Sequence, residues 1–205
     1  MKNFIEIGTT EEQQVEQIKQ WIKENGLQII IGISLGLGSI WGWNYFKDYQ
    51  YQQAIAARSA YLSMVSADDV KNLSELKSNH TNSTYAQQGE FIAAKYALDG
   101  GDKKQALEHL LPLINAENNE FIVHTAKLRA ASIYLELGDF EQALGVIGEV
   151  KNNAFSGLYH HLTADIYLAK NDQNLAKEYY QLALDELPAN SKLKELIKIK
   201  LDDLN

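Results

Sequence analysis

Five histidines, His80, His109, His124, His160 and His161, are the side chains best suited to bind a metal or move a proton near neutral pH. Their spacing from one another and from the carboxylates repeats no ligand pattern. The adjacent pair His160 and His161 would point in different directions on a helix, so the histidines read as solvated or groove-lining. Cysteine is absent, which removes disulfides, thiolate metal sites and a thiol nucleophile. The glycines between Gly32 and Gly42 lie within an apolar run rather than in a phosphate-cradling loop. Acidic residues are dispersed along what read as solvated helix faces, with no pair set up as general acid and base. A net charge of −8 argues against a nucleic-acid partner. The expectation is a non-enzymatic protein with no metal and no cofactor.

The element that dominates the chain is Leu27 to Phe46, LQIIIGISLGLGSIWGWNYF, which has no formal charge. As a helix rising about 1.5 Å per residue it spans roughly 30 Å, the thickness of a hydrocarbon core. Leu27, Ile29, Ile30, Ile31, Ile33, Leu35, Leu37 and Ile40 each favour insertion by about 0.3–0.6 kcal/mol. The glycines Gly32, Gly36, Gly38 and Gly42 are tolerated better in a membrane helix than in a soluble one. Trp41, Trp43, Tyr45 and Phe46 gather at one end as interface anchors. A cleaved signal peptide would open on a short basic segment, but the residues before this run carry Glu6, Glu11, Glu12, Glu16 and Glu24. An uncleaved anchor at 27–46, preceded by a segment 1–26, is expected. Orientation is close to a tie by charge, since Lys19 and Lys23 on one side face Lys47 and Arg58 on the other.

The rest, 47–205, is rich in Ala, Leu, Glu, Lys and Gln and reads as all-α. Three turns, Gly101-Asp102, Gly138-Asp139 and Asn171-Asp172, follow apolar stripes and precede an alanine, at Ala106, Ala143 and Ala176. Their spacing brackets the period of about 34 residues of the tetratricopeptide repeat. Small residues let paired helices approach, aromatic residues fill the gap between pairs, and Gly or Asn accepts a turn with positive φ. The spacing predicts repeats at about 84–118, 124–154 and 157–188, a degenerate helix pair at 54–80 and a capping helix at 191–204. Pro112 breaks the second helix of the first repeat, and Gly145 and Gly148 weaken that of the second.

Two surfaces remain for partners. Gly32-x3-Gly36 and Gly38-x3-Gly42 form small-residue faces against which another membrane helix could pack. By repeat phase, the concave side of the solenoid carries Phe91, Lys95 and Leu98, then Leu128, Ser132 and Leu135, then His161, Asp165 and Leu168. Such a mixed strip suits a partner's helix or an extended peptide, although the terminal helix could cover several of these leucines.

The run QVEQIKQWIKENGLQIIIGISLGLGSIWGWNYF resembles the N-terminal signature of the YfgM family. The Glu24-Asn25-Gly26 lead-in, the glycine-spaced span and the Gly42-Trp43 exit carry the likeness, which continues more loosely through the repeats. The resemblance implies an ancillary subunit of the SecYEG translocon in the inner membrane of a Gram-negative bacterium. It further implies a cytoplasmic N-terminus, periplasmic repeats, a PpiD-like periplasmic chaperone as partner, and help to newly translocated proteins. The leading rival is a repeat adaptor for another envelope process, such as outer-membrane or cell-wall assembly, and a second is a cytoplasm-facing regulatory adaptor.

Overall fold

A computed structural model describes residues 11–67, 73–81, 83–116, 119–151 and 154–204. The chain divides into two compact units, Met1–Ala56 and Ala57–Asn205. In the described residues of the first unit there is one element, the beginning of helix α1, which runs Glu11–Ala67. It extends well past the apolar run on both sides, because neither flank holds a proline, the first is rich in Glu and Gln, and the second in Gln and Ala. From Leu27 to Phe46 its large apolar side chains are exposed, and this is the one described helix long and apolar enough to cross a membrane.

The second unit is helical throughout its described residues. Its elements after α1 are α2 (Leu73–Asn79), α3 (Thr84–Asp99), α4 (Lys103–Leu110), α5 (Glu120–Leu137), α6 (Phe140–Ile147), α7 (Ser156–Ala169), α8 (Gln173–Glu186) and α9 (Leu193–Asp203). Helices α3–α4, α5–α6 and α7–α8 form three hairpins whose turns are built alike. Gly101, Gly138 and Asn171 take φ of 82°, 76° and 62°, which a β-branched residue would resist. The next residue is aspartate each time, and its backbone N–H donates to the carbonyl five residues earlier, Asp102 to Ala97, Asp139 to Tyr134 and Asp172 to Tyr167. The same aspartates then cap the following helix, accepting from the N–H groups of Gln105, Gln142 and Leu175 at 2.8, 3.3 and 3.1 Å. One Gly/Asn-Asp pair thus ends one helix and starts the next.

Second helices differ in length. Helix α4 stops at Leu110 and tightens into a 3-10 turn, Leu111–Asn115, with Pro112 near its start. Helix α6 ends at Gly148, whose φ is 65°, whereas α8 continues to Glu186, just before Pro188.

The core is a row of small clusters, three of them made by one hairpin and the helix that follows. Ala94, Ala97, Ala106, Leu107 and Leu110 meet Ala130 and Ile133 of α5. Ala131, Ala143 and Ile147 meet Tyr159, Leu162 and Ile166 of α7. Ala164, Ala176, Tyr180 and Ala183 meet Leu187, which ends α8, and Ile197 of α9. The alanines after the three turns, Ala106, Ala143 and Ala176, are fully buried. Only such small side chains let the two helices of a hairpin close, and the large residue of the next helix then fills the remaining gap. At the N-terminal end of this unit, Ala57 and Met64 of α1 pack with Leu73 and Leu76 of α2 and with Ala86 and Ala93 of α3. The Tyr61 and Tyr85 rings lie 5.8 Å apart beside them.

Candidate protein-binding surface

The residues expected to line a concave strip lie on the first helices of the hairpins, and they differ in exposure. On α3, Phe91 is half-buried and lies under the Arg129 guanidinium of α5 at 4.9 Å, a cation–π contact that joins two neighbouring repeats. Lys95 is exposed and pairs with Asp99 one turn on, and Leu98 is exposed. On α5, Leu128 and Leu135 are half-buried against the second core cluster, and the Ser132 hydroxyl donates to the Leu128 carbonyl at 2.9 Å.

On α7 the strip is more heavily engaged. The Asp165 carboxylate accepts from the Tyr180 hydroxyl and from Lys200 Nζ of α9, the latter at 2.6 Å. His161 Nε2 lies 3.6 Å from the other oxygen of Asp165 and is buried without a hydrogen bond. Leu168 is half-buried against the third core cluster, to which α9 contributes Ile197. Burial pushes the Tyr180 phenol well above its usual range, with the bond to Asp165 adding to it. Burial likewise pushes His161 down; Asp165 opposes this and Lys200 reinforces it.

Three polar features were not legible in the residue pattern. Glu90, one residue before Phe91, is buried, so the expectation that acids sit on solvated faces fails there. Its carboxylate accepts from Lys77 of α2 at 2.6 Å and meets His109 Nδ1 of α4 at 2.7 Å, tying three helices together. A charge placed there without these partners would be costly, which explains why all three side chains converge. Lys77 and Glu90 border a cleft of about 300 Å³ lined also by Gln87, Pro112 and Leu113.

The second feature is an aromatic group on α5 and the start of α7. His124 stacks on Phe155 at 4.6 Å and hydrogen-bonds the Tyr159 hydroxyl at 2.7 Å, while exposed Phe121 lies 5.8 Å from Phe155. Burial lifts the Tyr159 phenol to about 12. The third joins the second and third hairpins. Lys170 Nζ bonds Glu141 at 2.8 Å, which holds the Glu141 carboxyl below its usual range, while within the third hairpin the Tyr167 and Tyr179 rings stack at 5.4 Å. Glu90 and His109 stand nineteen positions apart, and Glu141 and Lys170 twenty-nine, so only the fold brings them together. Among the described residues no group of three or more His, Asp and Glu could hold a metal ion.

Along α1, no atom lies within 4 Å of where a Cβ on Gly32, Gly36, Gly38 or Gly42 would be, so both small-residue faces are open. Trp41 and Tyr45 stack at 5.9 Å, and they and Trp43 are exposed. The Ser39 hydroxyl donates to the Leu35 carbonyl at 2.7 Å, which satisfies this polar group within the helix and suits it to lipid.

Hairpins with alanine-lined seams and a polar-capped turn, joined to one helix of membrane-spanning length, define a tetratricopeptide-like repeat protein with a candidate membrane anchor. The tetratricopeptide repeat-like domain family matches residues 19–205. A Haemophilus influenzae protein named Ancillary SecYEG translocon subunit is 29% identical over 201 residues, covering 95% of this chain and 97% of the relative. Proteins of the same name are 30% identical in Aggregatibacter actinomycetemcomitans, over 95% of this chain and 97% of the relative, and 25% identical in Escherichia coli K12, over 98% and 100%. The chain belongs to this family, the one whose N-terminal signature it resembles. No solved structure matches the chain.

Proposed function

We propose that the chain is a non-enzymatic scaffold of the Sec translocon, held in the inner membrane by α1. In this reading residues 1–26 are cytoplasmic, 27–46 cross the bilayer once, and the repeats lie in the periplasm. There the concave strip receives a PpiD-like chaperone, newly translocated chains, or both. The observation that carries the reading is the reach of the family likeness, which takes in the apolar helix and the repeats together over 95% of the chain. A membrane-length helix with open glycine faces supports a helix-packing role for Gly32, Gly36, Gly38 and Gly42. The half-buried and exposed apolar residues Phe91, Leu98, Leu128 and Leu135 support a role for the strip in holding a helix or extended segment.

Photo-crosslinking in cells tests the reading. A crosslinker at Gly38 is expected to capture a translocon subunit, and one at Leu98 or Leu135 a periplasmic protein. Protease added to spheroplasts is expected to degrade the repeats and spare the N-terminal segment. Protected repeats, or crosslinks from both positions to cytoplasmic proteins alone, would overturn the proposal.

A further inference from the structure

The cluster around Asp165 joins α7, α8 and α9, and it includes a titratable group with no hydrogen bond of its own. We propose that His161 makes the attachment of α9 sensitive to acid: once protonated, it sets a second cation beside Lys200 with a single carboxylate between them, and α9 loosens from the third hairpin.

The geometry leaves little room for another charge. Asp165 Oδ1 already receives the Lys200 ammonium at 2.6 Å and the Tyr180 hydroxyl. Only Oδ2 faces His161 Nε2, at 3.6 Å, beyond hydrogen-bond reach. Lys200 Nζ also lies over the Tyr180 ring at 5.5 Å, so ammonium and imidazole converge on the same aromatic and the same carboxylate. A neutral imidazole fits this place. A charged one must be stripped of water there, and it must compete with Lys200 for Asp165.

The groups facing His161 can be named element by element. On α7 itself they are Asp165 and the neighbouring His160, which turns to Glu186 at 3.3 Å and to the Tyr179 ring on α8. Helix α8 contributes the Tyr180 hydroxyl and α9 contributes Lys200. From α5, His124 engages Tyr159, and from α6, Glu141 engages Lys170; neither acts on His161, whose charged neighbours are Asp165 and Lys200. Burial is the first cause that lowers its affinity for a proton, and Lys200 adds to it against the opposing Asp165. The docked state therefore binds the proton less well than the released state. The effect is absent well above 6.5, the ordinary value for histidine, and grows as pH falls below it.

Helix α9 is a suitable element to respond. It is short, Leu193–Asp203, and holds on through Ile197, Leu193, Leu201 and Leu204 on one side while Leu196 and Ile199 are exposed on the other. Its release would free Asp165, His161 and Leu168, the third section of the concave strip. That last consequence rests on the proposed reading of the strip; the loosening itself does not.

Amide hydrogen exchange of the full chain in lipid nanodiscs, normalised for intrinsic exchange, tests this at about pH 7.5 and about pH 5.5, either side of the histidine range. In acid, Leu193–Asp203 is expected to lose protection while α3 to α6 keep theirs, and His161→Gln is expected to abolish that loss. His160→Gln is expected to leave it in place. Equal protection of α9 at both values, or an undiminished loss in His161→Gln, overturns the proposal. Should His161→Gln lose protection throughout the repeats, Lys200→Gln decides instead. Removing the competing ammonium is expected to shrink the difference between the two pH values, and an unchanged difference overturns the idea. None of these readouts involves the translocon, so their failure leaves the scaffold reading standing.

Discussion

Two glycines on helices offer opposite responses to the same substitution. Gly157 lies buried on α7, where a Cβ would meet Leu187 Cγ at 2.8 Å and the Leu187 backbone nitrogen at 2.9 Å. That nitrogen already donates to the Ala183 carbonyl at 3.0 Å, so the chain after α8 cannot retreat without disturbing the end of the helix. Gly145 sits exposed in the middle of α6, with nothing within 4 Å of its absent Cβ. Alanine gains up to about 1 kcal/mol over glycine within a helix; this gain applies to Gly145 in α6 and is smaller at Gly157, the second residue of α7. At Gly157 it is opposed by overpacking worth roughly 1–3 kcal/mol, toward the upper end because one clashing atom is backbone. Gly145→Ala should therefore stabilise the repeats by about 0.5–1 kcal/mol, and Gly157→Ala should destabilise them by roughly 1–2 kcal/mol. For a domain near this size about 1 kcal/mol moves the midpoint by roughly 2–4 °C, so the two variants should melt roughly 3–12 °C apart. Circular dichroism of the full chain in detergent reads this directly. If Gly157→Ala melted with or above Gly145→Ala, the close approach of α7 to Leu187 would be wrong.

Two further outcomes follow from the polar clusters. Glu90→Gln keeps the size of the side chain but removes the charge shared by Lys77 and His109; loss of these charge-assisted bonds should lower stability by about 1.5–3 kcal/mol in denaturant titration, and a change under about 0.5 kcal/mol would show the trio to be incidental. Tyr159 stays protonated in the folded chain up to about 12, against an ordinary value of 10.0, so unfolding releases its proton more readily. Stability should thus hold below pH 10.0 and fall as pH rises toward about 12, and Tyr159→Phe should flatten that fall in alkaline melts.

The all-α repeat fold was legible where a backbone requirement leaves one residue type little choice. Positive φ at Gly101, Gly138 and Asn171, an aspartate cap after each, and a buried alanine four residues beyond the aspartate all come from local chemistry that a single chain displays. The apolar run of α1 was equally plain, because length and missing charge suffice to recognise it. Its continuation to Ala67 was not, since amphipathic flanks of good helix formers carry no stop signal until they reach the repeats. The burial of Glu90 was hidden for a different reason. An acid beside Phe91 looks the same in sequence whether water or a lysine and a histidine from other helices surround it. At Asp165 the strip position was readable, but its capture by Lys200 depends on how α9 docks, which no periodicity records.

The row of separate core clusters bears on how the chain acquires its structure as it is made. Three of the clusters draw on one hairpin and the helix immediately after it, so α3 and α4 can begin to associate while α7 and α8 have yet to leave the ribosome. Short loop closures replace distant pairings, and folding can advance in the direction of synthesis. Helices α7 and α8 have fourteen residues each, against eight for α4 and α6, so the last hairpin to emerge has the longest second helix of the three. Until α8 and α9 arrive, the Ala164 side of α7 faces solvent, and a nascent chain stalled at that point would expose the very surface that the completed molecule hides.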